Sequence, residues 1–136
     1  MAKNPQEAQE VFNQVSDVVF STSRSDGQPN CCIVGMKKLI DDETIYLSDQ
    51  FFKKTLANIL ENPKVCVIWW GEKGAYEVYG TATYVNEGTE FETQAEWANS
   101  MFEKIGMSLT AKGGCFIKVD EVYTSSPGPM AGEKIA

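Results

Sequence analysis

Three β-prone runs crowd the first third of this chain, and the links between them are too short to hold a crossover helix. Residues 17–23 are rich in β-branched side chains, Ser25-Asp26-Gly27 supplies a turn, and residues 30–40 form a second run. Asp41-Asp42-Glu43 then turns the chain into Thr44-Ile45-Tyr46-Leu47-Ser48. Strands joined so tightly must be antiparallel neighbours. Residues 64–70 are apolar without alternation, which predicts a strand covered on both faces. After the turn Gly71-Glu72-Lys73-Gly74, the residues Tyr76, Val78, Gly80, Ala82 and Tyr84 alternate with Glu77, Tyr79, Thr81 and Thr83. That pattern predicts a long strand, curved where Gly80 can kink it. Residues 115–123 read as the last strand.

Three helices separate these runs. Asn4-Pro5 predicts a cap and first-turn proline, followed by Ala8, Val11, Phe12 and Val15 on one face of a helix over about residues 5–15. Phe52, Leu56, Ile59 and Leu60 form the stripe of a second helix, stopped by Asn62-Pro63. Thr89 and Glu92 have capping-box spacing at the head of a third, and Gly106 ends it. The order α-β-β-β-α-β-β-α-β lacks the strand-helix alternation of a doubly wound sheet. It predicts one mainly β domain over residues 1–136: a six-stranded antiparallel barrel with helices outside, since closure removes exposed edges.

The chain has no histidine, so histidine-based triads and metal sites are excluded, and no metal site is expected. Twelve basic residues against nineteen acidic ones give a net charge of −7, which argues against nucleic acid or an anionic membrane as partner. The longest apolar run is far too short to span a bilayer, no signal core is visible, and a cytoplasmic location is expected. Cys31, Cys32, Cys66 and Cys115 lack Cys-x-x-Cys spacing and read as reduced thiols. Asp41-Asp42 and Asp120-Glu121 sit at turns or strand ends, without the burial that acid and base roles in a hydrolase require.

Lys53 and Lys54 fall at the start of the second helix, where exposed N–H groups disfavour cations. A bound phosphate would offset that placement: the amides point at it, two ammonium groups neutralise it, and Thr55 and Ser48 can donate hydrogen bonds. A solvated lysine pair is the alternative. Asn58 shares a face with Lys54, free to reach the ligand or to cap local backbone. Trp69, Trp70, Tyr76, Tyr79 and Tyr84 gather around one hairpin, as a flat surface for an aromatic ring or as core.

Taken together, these segments resemble the FMN-binding split β-barrel superfamily of pyridoxamine 5′-phosphate oxidase-like proteins. The resemblance rests on residues 49–65, Asp49-Gln50-Phe51-Phe52-Lys53-Lys54-Thr55 through Asn62-Pro63 into a central strand. It is supported by residues 26–30, by residues 74–82 and by the tail from Pro127-Gly128-Pro129 to Gly132. The resemblance implies a homodimer with FMN at the subunit interface, its phosphate held by Lys54 and Thr55 with help from Lys53 and Ser48. By the same resemblance Val34, Gly35, Met36 and Lys37 run along the isoalloxazine, and Trp70 and Pro127 make contacts from the partner subunit. The chain departs from pyridoxamine 5′-phosphate oxidase itself, which relies on arginine and histidine for its vitamin phosphate: here Arg24 is the one arginine and histidine is absent. The expected function is therefore a redox flavoprotein related to flavin reductases, or alternatively a non-catalytic flavin carrier. A haem-binding barrel is disfavoured because axial ligation would fall to cysteine or tyrosine.

Overall fold

The computed structural model describes residues 2–136, so Met1, the first residue of the predicted domain, lies outside the described residues. In chain order the elements are α1 (Gln6–Gln14), β1 (Val18–Ser23), β2 (Pro29–Val34), β3 (Lys37–Asp41), β4 (Thr44–Asp49), α2 (Lys54–Glu61), β5 (Lys64–Gly71), β6 (Gly74–Val85), α3 (Thr89–Lys104) and β7 (Gly113–Thr124). The strands form one antiparallel sheet in the order β2-β1-β5-β6-β7-β4-β3, curled into a split barrel.

Among the described residues there are seven strands, where the sequence predicts six. The continuous run over residues 30–40 breaks at Gly35-Met36, and its halves go to opposite ends of the sheet: β2 pairs only with β1, and β3 only with β4. Residues adjacent in sequence thus join the two edges, and one backbone bond, Ser48 N–H to the Met36 carbonyl at 3.0 Å, ties the crossing to β4. Strand propensity alone could not reveal this break, because both halves favour extended backbone.

The curl has a local cause. The register of β6 against β7 shifts between Tyr79 and Gly80, a bulge that bends the pair where the kink was predicted. A Cβ at position 80 would lie 2.5 Å from Ile117 Cγ2 and 2.8 Å from the Lys118 carbonyl oxygen, so only glycine lets the strands approach this closely. The inward faces supply the core, including Phe20, Ile45, Leu47, Val67, Trp69, Val78 and Ile117. α1 closes one end: Phe12 meets Trp69 edge-to-face at 5.2 Å, and Trp69 Nε1 donates to the Ala8 carbonyl at 3.0 Å.

Three local expectations are corrected. β5 is not covered on both faces: Val65, Val67 and Trp69 point inward, while Trp70 on the outer face is 58% exposed. Asn4 does not cap α1, because its side chain is buried and Pro5 stands at the cap position without a side-chain bond. No capping box forms on α3; Gly88 is its cap residue at φ +97°, and the Thr93 hydroxyl donates to the Thr89 carbonyl instead. Gly106 does end α3, at φ +76°, with its N–H on Glu103 and that of Met107 on Phe102, the paired bonds of a Schellman stop. Among the described residues no helix is long and apolar enough to cross a membrane.

Candidate functional site

The crossing between β2 and β3 forms one wall of a hollow of about 540 Å³. Cys32, Ile33, Val34, Gly35 and Met36 line that wall; Ser48, Gln50, Phe51, Phe52 and Thr55 line the side that runs from β4 into α2. Phe102, Ile105, Met107 and Leu109 enclose it from the end of α3 and the loop beyond. Most of the lining is apolar, and its rim is open: Ile33 is 73% and Phe51 70% exposed.

Phe52 and Thr55 both face this hollow, so the start of α2 between them abuts it. No side chain caps α2 and no acidic residue lies in its first turn. The leading N–H groups therefore keep their partial positive charge. Lys53, at the cap position, and Lys54, the first helical residue, are exposed and form no ion pair among the described residues. Lys54 opens onto a neighbouring hollow of about 280 Å³, together with Arg24, Asn30 and Asn58. Arg24 is already engaged by Asp26 in an exposed ion pair at 2.9 Å.

A polar network anchors α2 from beneath. Asn58 Nδ2 donates to Thr22 Oγ1 at 3.0 Å, and Asn30 Nδ2 donates to both Thr22 Oγ1 at 3.2 Å and Thr55 Oγ1 at 3.1 Å. The Thr55 hydroxyl in turn donates to Cys32 Sγ at 3.3 Å. Burial raises the Cys32 thiol above its ordinary value, and the Thr55 bond opposes that only in part. Asn58 and Thr55 are thus buried residues whose side chains hold the helix to β1 and β2, a role the helical spacing could not distinguish from ligand contact.

The loop before α2 is held by Asp49, which is buried. Its Oδ1 accepts from the Phe52 N–H at 2.8 Å, its Oδ2 accepts from the Tyr84 hydroxyl at 2.5 Å, and its backbone carbonyl accepts from the Lys112 N–H at 2.8 Å. Burial and the adjacent carboxylate push the Tyr84 hydroxyl well above the usual phenol range, so it stays a donor. The Ser48 hydroxyl accepts from Gln50 Nε2 at 2.6 Å and retains its own proton to donate.

Of the residues singled out in the sequence, Val34, Gly35, Met36, Ser48 and Thr55 share the large hollow. Lys37 does not line it: its Nζ donates to the Phe12 carbonyl at 2.6 Å and lies 4.4 Å from the Phe12 ring centroid, fastening α1 to β3. Trp70 and Pro127 meet in a separate groove of about 360 Å³. Sequence reasoning missed Gln50, Phe52 and the 102–109 wall. The available signal was a pair of apolar residues, Met107 and Leu109, beyond the Gly106 stop, where no helix remains to bury them.

Chemically, the arrangement suits a flat, largely apolar group with an anionic tail. Comparison with known proteins agrees with the fold. A protein of Methanocaldococcus jannaschii, itself uncharacterized, is 36% identical over 125 residues, covering 89% of this chain and 81% of that protein. The crystal structure of HupZ from Group A Streptococcus superposes with a TM-score of 0.78 at 25% identity, covering 94% of this chain and 98% of that one. An FMN-binding protein from Syntrophomonas wolfei superposes with a TM-score of 0.74 at 19% identity, covering 89% and 85%. Residues 5–125 match the pyridoxamine 5′-phosphate oxidase family as a whole. A match over nearly the whole chain, on a split barrel with the hollow at its crossing, means that this chain belongs to the pyridoxamine 5′-phosphate oxidase family, within the FMN-binding split β-barrel superfamily.

Proposed function

We propose that this chain binds FMN and serves as a redox flavoprotein, with the phosphate at the start of α2 and the ring system in the 540 Å³ hollow. The observation that carries the reading is the uncapped, doubly cationic start of α2 opening beside an apolar hollow. Lys53 and Lys54 neutralise the phosphate, the first-turn amides donate to it, and the Ser48 hydroxyl supplies a further donor. Thr55 and Asn58 contribute through the network with Thr22 and Asn30, which keeps those amides aimed outward. The backbone of Val34, Gly35 and Met36 runs along the ring. When bound, FMN supplies the hydride or electron transfer, which needs no side-chain base.

In the same reading two chains pair across the open rim. Ile33 and Phe51 at the hollow and Trp70 on the outer face are large apolar side chains left exposed, and Trp70 and Pro127 reach the flavin of the partner. The free thiols suit a reducing compartment, in keeping with a cytoplasmic protein. Pyridoxamine 5′-phosphate oxidation is not proposed: the single arginine, Arg24, lies outside the hollow and is paired with Asp26.

Titration with FMN and riboflavin, followed by flavin fluorescence, tests the proposal. Expected are one FMN per chain, tighter binding of FMN than of riboflavin, and a solution mass twice the 15.1 kDa of the chain. A chain that takes up neither flavin defeats the reading. The alternative is a non-catalytic carrier that holds flavin in the same hollow. Saturable reduction of the bound flavin by NADH or NADPH excludes the carrier.

A further inference from the structure

The start of α2 cannot orient itself. Lys53, at its cap position, has φ −131° and ψ −85°, outside the usual extended geometry of a cap, and offers no capping acceptor. Besides the Thr55 and Asn58 network beneath the helix, its approach is held upstream by the Phe52 N–H, which donates to Asp49 Oδ1 at 2.8 Å. We infer that Asp49, held by Tyr84, is the positioning residue of the phosphate end of the site, an inference that rests on the flavin reading above.

Three features support this. Both carboxylate oxygens of Asp49 are engaged, one by the α2 approach and one by β6, so the side chain is fixed at both ends. Gly113 makes room for the second contact: a Cβ there would collide with the Tyr84 hydroxyl and ring. The Asp49 carbonyl also accepts from Lys112, so the segment that follows α3 is tied to the same residue. One buried residue therefore holds the α2 approach and β6 through its carboxylate and the segment after α3 through its backbone carbonyl. A negative charge this close to a phosphate would oppose binding if it acted through charge; a role through geometry predicts the opposite response to its loss.

That contrast defines the test. Asparagine can replace both contacts, accepting from Phe52 with its oxygen and meeting Tyr84 with its amide, whereas alanine replaces neither. With FMN and riboflavin as probes, Asp49→Ala and Tyr84→Phe are each expected to weaken FMN by about tenfold. Riboflavin, which lacks the phosphate, should change less than about twofold, and Asp49→Asn should restore FMN to within about threefold of the parent chain. Thermal melts accompany each titration, and Tyr84→Phe, the milder change, keeps the test open should Asp49→Ala fail to fold. Equal weakening of both flavins, an unchanged Tyr84→Phe, or tighter FMN binding by Asp49→Asn overturns the inference while leaving flavin binding intact. A parent chain that binds neither flavin removes the flavin reading, and this inference with it.

Discussion

The α2 and α3 helices begin under opposite electrostatic conditions. α3 carries Glu90 and Glu92 in its first turn and Lys104 in its last, each charge set against the dipole end that favours it. α2 has no acid in its first turn and two lysines at its start. α3 is satisfied within the chain, whereas in the proposed reading α2 is completed by an anion from outside. The lysine pair is informative because a comparable helix in the same molecule follows the rule that it breaks.

The contrast breaks most sharply under charge reversal. Lys53→Glu combined with Lys54→Glu should weaken FMN by about a hundredfold in a fluorescence titration, since two charge-assisted contacts are lost and two repulsions gained. The same change gives α2 the pattern of α3, so the unliganded protein should melt no lower than its parent. Lys54→Ala, a gentler probe, should weaken FMN about tenfold and leave riboflavin nearly unchanged; equal losses would place the lysine away from the phosphate.

Alkaline pH offers a comparison that involves neither helix start. Burial pushes the Cys115 thiol from its ordinary 9.0 up to about 12 in the folded chain. Between those values the unfolded chain has released the proton and the folded chain has kept it, so stability falls as pH rises through this window. Cys115→Ala should flatten urea-derived stability against pH there by up to about one proton, or 1.4 kcal/mol per pH unit. The smallest effect belongs to α3: Glu90→Lys should cost about 0.5 kcal/mol in the same assay and leave FMN binding unchanged. A flavin effect from that distant start would erase the distinction between the two helices.

How much of this could be read from the sequence depended on whether the signal was local. Asn62-Pro63, Gly80 and Gly106 each act through their own backbone, and each ends or bends an element where expected. Short links made the antiparallel pairing legible as well. The break at Gly35-Met36 was not, because which edge a strand joins is decided by distant partners. At the candidate site the lysines were legible as a local anomaly. The inward turn of Asn58 and Thr55 and the pairing of Asp49 with Tyr84 were not, because they depend on side-chain hydrogen bonds between segments as far apart as 36 residues.

The crossing at Gly35-Met36 has a mechanical meaning. β2 and β3 are the sheet's two free margins, yet they are stitched together by a single short piece of backbone. That stitch is a clasp on a rolled ribbon. The barrel cannot unroll while it holds, and a rigid plate lodged beside it would act as a wedge that locks the roll.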